Sequence, residues 1–273
     1  MTLVSSRFIA ARTVAAAALI GLASLGLGGC KSAPPVTVSG LDALERSPSV
    51  ALDVENPRGS VLVYVDNEET QPRVIARGGS RTGEPTANYD GNLWVTAAIT
   101  ETDGRAVLTV RPTERTPDIK DHWVQVIVVL PSCDGVRIKN SEGLVDVRGV
   151  SGAVQIDNGG AGLPGGAVKF EAGKPITAPV SISTASGNID LIFPTGTAGT
   201  IELLSGNGML ANISAWTGQL EHSVHKPGSF KGVLNRGANK VNVKTNEGQI
   251  DMRVGPYRFG NPHKKYYKQW TFS

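Results

Sequence analysis

Three aspartates occupy the same place in three similar segments of the chain. Residues 136–147, 180–191 and 241–252 align without a gap, and each has a strand-like stretch, a polar corner, a glycine and a second strand-like stretch. The aspartates of the second stretches are Asp146, Asp190 and Asp251. Outward carboxylates on neighbouring coils are what a polysaccharide lyase or hydrolase built on a parallel β-helix would use for catalysis.

The spacing of the first two aspartates can be compared with what such catalysis requires. If a coil takes about 20 residues, the 44 residues from Asp146 to Asp190 (190 − 146) span about two coils. Stacked strands lie ~4.8 Å apart, so we expect these carboxylates ~9 to 10 Å apart, against ~6.5 to 9.5 Å in inverting glycosidases. No Arg, Lys or His recurs beside them in the three segments. The sequence favours a solvated charged face, with a divalent-cation site and a catalytic pair as alternatives.

Two other motifs would bind a metal or a nucleotide in a different context. His222 and His225 are three residues apart, which places them on opposite faces of a strand. His122 and His263 have no partner at a fixed spacing. Residues 160–165 spell G-x-G-x-x-G, but a strand-like stretch follows them instead of the helix that a nucleotide site requires. The sequence therefore predicts no metal site and no cofactor.

The N-terminal segment has the pattern of a secretory signal peptide. Arg7 and Arg12 precede an apolar run of small residues over 13–27. That run is shorter than the ~20 residues of a membrane-spanning helix. The residues that close it, Leu27, Gly28, Gly29 and Cys30, resemble the lipobox of bacterial lipoproteins. The resemblance implies cleavage before Cys30 and acylation of its thiol and new amino group; the alternative is an ordinary signal peptide with a chance cysteine.

Lipidation would make residues 1–29 a signal peptide and would anchor the mature chain in a membrane. Several acyl chains, at ~0.8 kcal/mol per buried CH₂, give stable anchoring. Lys31 after the lipid cysteine implies, by the same resemblance, the outer membrane where the cell has one, with the chain on its periplasmic or surface face. The mature residues 30–273 carry 25 basic side chains (27 less Arg7 and Arg12) and 24 acidic ones. This balance predicts no nucleic-acid partner.

Cys133 is the only thiol left if Cys30 is acylated, which excludes an intramolecular disulfide. It lies in 131–135, a stretch rich in turn-forming residues. A cysteine nucleophile needs a helix N-terminus or a paired histidine, and neither is evident nearby. The sequence predicts a half-buried turn residue here, and it predicts no catalytic residue.

From Val50 onward the chain alternates apolar and polar residues with the period of β-strands. The 33 glycines and 16 prolines exclude a coiled coil, because both residues break helices. Residues 30–49 are predicted to form a tether with a short first strand. The following half is predicted to form antiparallel hairpins, with the apolar stretch Trp123–Leu130 as a central strand.

A short motif recurs in which a glycine is followed by alternating apolar residues. It predicts corners where the chain turns between two strands, because glycine permits a positive φ or a close backbone approach. The polar residues before each glycine are expected to bond the free backbone groups of the corner. Copies that cannot bury their faces alone must stack, so we predict a short, irregular β-solenoid, a sandwich of stacked β-coils. The predicted corner glycines are Gly59, Gly143, Gly152, Gly166, Gly187, Gly199 and Gly248.

Residues 50–255 resemble the bacterial putative-adhesin domain family. The resemblance rests on the opening 52–63, on the valine-rich strand that ends at Leu130-Pro131, and on the Ser/Asn-x-Gly-x-Ile-x-Leu repeats after it. It implies a β-solenoid-like fold and a location in the cell envelope. The family supplies no catalytic residues to transfer to this chain.

The C-terminal segment 256–273 is predicted to be a basic-aromatic tail or cap. From Arg253 to Ser273 the chain has five basic residues and no acidic one. Cations interleaved with aromatic rings bind sugars or anionic headgroups, whereas aromatic residues also cover the open end of a solenoid. The residues of this candidate ligand surface are Arg258, Lys264, Lys265, Tyr266, Lys268 and Trp270.

The sequence as a whole favours a non-catalytic, lipid-anchored envelope protein that serves as a binding or structural module. Its expected partners are the membrane, through the lipid, and an envelope polysaccharide, peptidoglycan or an envelope protein. Two alternatives stay open. One is a polysaccharide-active β-helix enzyme, and the other is an accessory subunit of an envelope signalling system.

Overall fold

The computed structural model describes residues 35–46, 49–80, 95–113, 122–160, 162–215 and 220–255. This part of the chain is nearly all β, with one short helix, α1 (Ala43–Arg46). No helix in it is long and apolar enough to span a bilayer. The strands are β1 (Val38–Ser39), β2 (Val50–Asn56), β3 (Val61–Val65), β4 (Arg73–Ser80), β5 (Val95–Thr102), β6 (Arg105–Pro112), β7 (His122–Leu130), β8 (Cys133–Asn140), β9 (Val145–Asn158), β10 (Val168–Ala172), β11 (Val180–Ser186), β12 (Ile189–Pro194), β13 (Gly199–Ser205), β14 (Leu210–Ala215), β15 (Leu220–Lys226), β16 (Ser229–Leu234), β17 (Lys240–Glu247) and β18 (Ile250–Gly255).

Hydrogen bonds arrange these strands in two sheets that share β9. Sheet I has the order β4-β7-β3-β9-β10-β12-β18-β14. Sheet II has the order β1-β5-β6-β2-β8-β9-β11-β17-β13-β16-β15. Strand β9 bends from sheet I into sheet II near Gly149 and Gly152, which have φ angles of 83° and 78°. The all-β prediction is confirmed.

Parallel strands of the two sheets form stacked coils. Each coil is one strand of sheet II, a corner, and one strand of sheet I. From one end of the stack to the other the coils are β6–β7, β2–β3, β8–β9, β9–β10, β11–β12, β17–β18 and β13–β14. The predicted stacked-coil architecture is therefore confirmed.

The coils do not stack in chain order. The β2–β3 coil lies between β6–β7 and β8–β9, and the last coil in the chain, β17–β18, is inserted between β11–β12 and β13–β14. The insertion follows from a return path, because β13, β16 and β15 pair in antiparallel order and bring the chain back toward β11.

The prediction of antiparallel hairpins for the first half is only partly right. β5 and β6 form a hairpin at Asp103-Gly104, and β4 pairs in antiparallel with β7. β2 and β3, however, have parallel partners on both sides and turn at Gly59 as a coil. β7, the predicted central strand, lies second from the edge of sheet I. Alternation determines which face of a strand is buried, but it does not determine the partner strand.

Part of the predicted tether packs on the domain. β1 pairs with β5 of sheet II, and the amide of Val36 donates to the carbonyl of Val74 in β4 of sheet I at 2.8 Å. Ala43 of α1 is buried, and Leu41 and Leu44 pack against the core. Residues 36–44 thus meet both sheets at the same end of the stack.

The core fills the space between the two sheets. Inward residues alternate along each strand, as in β2, where Val50, Leu52 and Val54 are buried and the residues between them are partly exposed. Phe170 and Phe193 are the largest of its fully buried side chains, with ring centroids 5.9 Å apart. Burial of each such side chain stabilises the fold by about 1.5 to 3 kcal/mol.

Five of the seven predicted corner glycines stand in one column where sheet II turns into sheet I. A Cβ on any of them would come within 3.0 Å of backbone atoms in the neighbouring coil, so only glycine fits. They are Gly59, Gly143, Gly166, Gly187 and Gly248. The other two lie elsewhere: Gly152 is at the bend of β9, and Gly199 begins β13 against the backbone of Asn239.

A ladder of buried polar side chains runs beside this glycine column. The Nδ2 of Asn56 donates to Oδ1 of Asn140 at 3.1 Å, and the Nδ2 of Asn140 donates to Oδ1 of Asn158 at 2.9 Å. Farther along, the hydroxyls of Thr184 and Thr245 donate to glycine carbonyls at 2.8 and 3.0 Å. The predicted hydrogen bonds between polar residues and the corner backbone are confirmed.

Candidate functional site

The three equivalent aspartates lie in one row on the outer face of sheet I. In this row Asp146 of β9 is opposite Lys169 of β10, Lys169 is opposite Asp190 of β12, and Asp190 is opposite Asp251 of β18. Asp146 and Asp190 are therefore two strands apart, about 9 to 10 Å along the sheet. Lys169 occupies the position between them.

The expectation that no basic residue stands beside these aspartates is wrong. Besides Lys169, Arg148 donates to both carboxylate oxygens of Asp146, at 2.6 and 2.7 Å. The Nε of Arg253 lies 3.5 Å from Oδ1 of Asp251. Asp146 is only 5% exposed, so its charge depends on the bidentate arginine for compensation. The comparison of the three aligned segments missed these cations because Arg148, Lys169 and Arg253 all lie outside them.

The same face holds a small depression of about 170 Å³. Its charged lining consists of Asp146, Lys169 and Asp190 of this row and of Arg148, Glu171 and Arg253 beside it. Burial raises the pKa of Glu171 there, opposed by the charge of Arg148. Burial also lowers the pKa of Arg148, but its hydrogen bond and charge interaction with Asp146 outweigh this and raise it overall. Burial and the charge of Asp146 raise the pKa of Tyr64 to about 12. Asp146 is thus held by Arg148 and Asp251 lies beside Arg253, whereas Asp190 is the register neighbour of both Lys169 and Asp251.

His222, His225 and the G-x-G-x-x-G motif lie apart from this face of sheet I. His222 and His225 lie on β15 at the edge of sheet II, are exposed, and His225 packs edge-on against Phe230 at 6.2 Å. In the residues that the structure describes, no group of three or more His, Cys, Asp or Glu is arranged to hold a metal ion. Residues 160–165 connect β9 to β10, a strand, and Gly160 and Leu163 form a bridge in the described part of this loop.

Cys133 is buried more deeply than its sequence context predicts. It begins β8 instead of lying in a turn, is 4% exposed, and its thiol donates to the carbonyl of Gly135 at 3.3 Å. Burial raises its pKa to about 12, so the thiol is protonated at neutral pH. A protonated, enclosed thiol is a poor nucleophile.

A larger groove, which the sequence did not indicate, crosses the outer face of sheet II. Its volume is about 560 Å³. Its floor is shallow because Ala51, Gly135 and Ala153 have small or absent side chains. Register shifts where β2 meets β8, and where β8 meets β9, displace the backbone at the same place. Such bulges commonly re-aim side chains next to binding sites.

A row of polar side chains, one from each of five adjacent strands, runs along this groove. Across five adjacent strands they are in register, from Asp53 through Arg137, Gln155 and Ser181 to Asn242. Four strand spacings give this row a length of about 19 Å. The row runs along the stacking axis, perpendicular to the strands.

The charges of the groove have defined partners at one end and not at the other. Asp53 accepts from Arg111 at 2.5 Å and from Arg137 at 3.3 Å. Arg105 pairs with Asp134 at 3.0 Å. Lys240 is exposed, and no ion pair involves it within the described part of the chain. The groove forms only because these strands are neighbours in this register, and neither the pairing nor the register can be read from the sequence.

Two predicted sites lie outside the described residues. The lipobox, Leu27 to Cys30, precedes them, and the tail residues Arg258, Lys264, Lys265, Tyr266, Lys268 and Trp270 follow them. Both stay predictions from sequence.

Comparison with known proteins gives a likeness of fold. No family model matches the chain, and no curated protein matches it. A solved structure that matches is a putative cell adhesion protein from Clostridium sporogenes, 12% identical, with a TM-score of 0.48. The match covers 77% of this chain and 94% of that one. This likeness is too distant to transfer a function, and the resemblance to the putative-adhesin domain family stays a prediction.

Proposed function

We propose that this chain is a non-catalytic, lipid-anchored protein of the cell envelope whose β domain binds an envelope polymer or protein. The observation that carries the proposal is the groove of sheet II, about 560 Å³ in volume and lined by side chains from adjacent strands. Clefts with a few convergent polar groups are the usual binding sites of proteins. A row of polar groups repeated at the strand spacing suits a ligand that is itself extended.

The charged face of sheet I supports binding rather than catalysis. A hydrolytic pair would need one carboxyl group free to give a proton and the other free to accept one. Asp146 instead receives two hydrogen bonds from Arg148, and Lys169 stands between Asp146 and Asp190. The polysaccharide-active enzyme is therefore the weaker alternative.

The position of the lipid cysteine supports a fixed orientation of the domain on the membrane. Cys30 precedes Val36 by six residues (36 − 30), and Val36 bridges to β4 at one end of the stack. Six residues span at most about 20 Å. An anchor at Cys30 would hold the β1–β4–β5 end near the bilayer, and the groove, which runs along the stacking axis from β6 to β17, would then extend from that end away from the bilayer.

The test combines membrane fractionation with binding to envelope material. The native chain and Cys30→Ser would be compared by intact mass and by partition into membranes. The purified soluble variant would then be mixed with sacculi, lipopolysaccharide and membrane proteins from the same cells. We expect a lipid mass on Cys30 and retention by one of these fractions. An unlipidated chain, or a chain that none of the fractions retains, contradicts the proposal.

A glycan panel addresses the catalytic alternative with the same protein. Products would be followed by reducing-end assay and mass spectrometry. We expect no turnover. Turnover that Asp190→Asn abolishes would replace the binding proposal with the enzyme.

A further inference from the structure

We infer that the groove of sheet II binds an acidic polysaccharide that lies across the strands, along the stacking axis. This inference rests on the proposed binding function and adds the chemical class of the ligand. Three observations carry it: the charge of the lining, the spacing of its neutral polar groups, and the shape of its floor.

The charge of the lining favours an anion. Three basic side chains, Arg105, Arg137 and Lys240, and one acidic side chain, Asp53, line the groove. Arg105 is paired with Asp134, which is not part of the lining, so Arg137 and Lys240 are the cations most available to a ligand. The carboxylate of Asp53 is already engaged by Arg111 and Arg137. Arg137 shares that carboxylate with a second arginine and keeps 41% of its side chain exposed, so it has donors available for a ligand. Carboxylate groups are the natural partners of such guanidinium donors.

The cations stand at intervals along the groove rather than in one cluster. Arg105 lies on β6, Arg137 on β8 and Lys240 on β17. β8 and β17 are three strand spacings apart, about 14 Å. A single small anion cannot contact both Arg137 and Lys240 over this distance. A polymer with a charge on successive units can do so.

The positions between the cations carry neutral hydrogen-bonding groups. Gln155 and Ser181 follow Arg137 on the next two strands, and Asn242 is the register neighbour of Ser181. Amide and hydroxyl side chains both donate and accept, which matches the hydroxyl groups of sugars. Their spacing of ~4.8 Å offers one polar group for each strand that an extended ligand crosses.

The shape and composition of the floor favour a polysaccharide over a nucleic acid. The floor is made by Ala51, Gly135 and Ala153, and none of the lining residues is aromatic. Single-stranded nucleic acids are held by stacking of bases on aromatic rings, which this groove lacks. The near-neutral charge of residues 30–273, 25 basic against 24 acidic side chains, also lacks the excess of cations typical of nucleic-acid binding.

The experiment is a titration of soluble Cys30→Ser protein with two glycans of matched length. One is an oligomer of galacturonic acid, and the other is a neutral cello-oligosaccharide. Calorimetry would give the affinities at low and at physiological ionic strength. We expect binding of the acidic oligomer, weakened by salt because exposed charges are screened, and at least tenfold weaker binding of the neutral one.

Charge reversals locate the binding. Lys240→Glu should weaken binding of the acidic oligomer about tenfold, because it replaces an attraction by a repulsion. Lys244→Glu is the matched control, since Lys244 lies on the same strand, is also exposed and is absent from the groove lining. We expect a change of less than threefold for the control. Arg137→Gln should weaken binding as well, and its unfolding curve would show that the fold is intact.

The outcomes separate the ligand class from the binding function. Equal binding of the acidic and neutral oligomers, or tighter binding of single-stranded DNA of equal charge, overturns the acidic polysaccharide. Equal losses for the two lysine variants overturn the groove as its site. If envelope fractions retain the protein but the acidic oligomer does not bind, the present inference fails while the proposed function stands. If neither binds, both fail.

Discussion

Asp190 on β12 is the direct register neighbour of Asp251 on β18, although 61 residues (251 − 190) separate them in the chain. The last coil has been inserted beside the β11–β12 coil, and the β13–β14 coil lies on its far side. Two similar segments, 180–191 and 241–252, therefore lie side by side, although the 49 residues 192–240 separate them in the chain.

A disulfide can test this insertion directly. In a Cys30→Ser background, Asp190→Cys with Asp251→Cys should form a disulfide under mild oxidation, because neighbouring strands lie ~4.8 Å apart and disulfides need Cα atoms within ~7 Å. Peptide mapping by mass spectrometry would detect the link. The control pair is Asp146→Cys with Asp251→Cys, which are three strands apart. A link in the control pair, or none in the test pair, would refute the order of the coils.

The glycine column makes a prediction about stability. Gly166→Ala should lower the free energy of unfolding by about 3 kcal/mol, because its Cβ would strike the backbone of Gly143 in a place where neither strand can move. Gly208→Ala is the control, since its φ is 80° but the space around it is open. Its expected cost is about 1 kcal/mol from backbone strain alone. Urea unfolding midpoints would be compared, and equal losses would contradict close packing as the cause.

The buried polar ladder predicts a graded cost. Asn140→Ala removes one hydrogen bond from each of the buried amides of Asn56 and Asn158, which keep only their bonds to backbone carbonyls, and we expect a loss of about 2 to 3 kcal/mol. Thr245→Val keeps the shape and removes one hydrogen bond to the carbonyl of Gly187, at about 1 to 1.5 kcal/mol. Both would be measured by denaturant unfolding. The ladder is not a stabilising unit if Asn140→Ala costs no more than Thr245→Val.

The local features of the fold could be predicted from sequence because they repeat locally. A polar residue three positions before the glycine, as in Asn140 before Gly143 and Thr245 before Gly248, accompanies four of the five corners in the glycine column. Alternation then assigns each apolar residue to the core. These are short-range relationships within one coil, so they are visible in the sequence.

The stacking order and the groove could not be predicted in the same way. Any coil of this kind offers similar edges to its neighbours, so the insertion of β17–β18 is decided by the return of β16 along β13. Lys169 joins Asp146 and Asp190 only through register, and the groove arises where two bulges coincide with small residues of different strands. Such relationships between distant segments have no local signature.

The buried thiol of Cys133 predicts a loss of stability at alkaline pH. Its pKa is raised in the folded state from 9.0 to about 12, so the folded form favours the protonated thiol. This stabilisation is complete below pH 9 and is lost as the pH rises toward 12, because the unfolded chain then releases the proton first. At pH 9.5 the loss relative to pH 7 should be about 1 kcal/mol. Denaturant unfolding of Cys133→Ala should lack this component, and an identical pH dependence in the variant would contradict the assignment.

On the outer face of sheet I, the Arg148–Asp146 pair is predicted to contribute more to the free energy of unfolding than the other ion pair. Arg148→Met leaves the carboxylate of Asp146 buried without its bidentate partner, and we expect a loss of about 2 to 3 kcal/mol. Asp146→Asn in the same background removes the buried, uncompensated charge and should restore at least half of the lost free energy of unfolding. The double-mutant cycle would be measured by urea unfolding at constant pH. The Arg253–Asp251 pair is longer, at 3.5 Å, and its side chains are 51% and 28% exposed, so Arg253→Met should cost less than about 1 kcal/mol because solvent partly screens the pair. Equal costs at the two sites would mean that burial of Asp146 does not govern the strength of its ion pair.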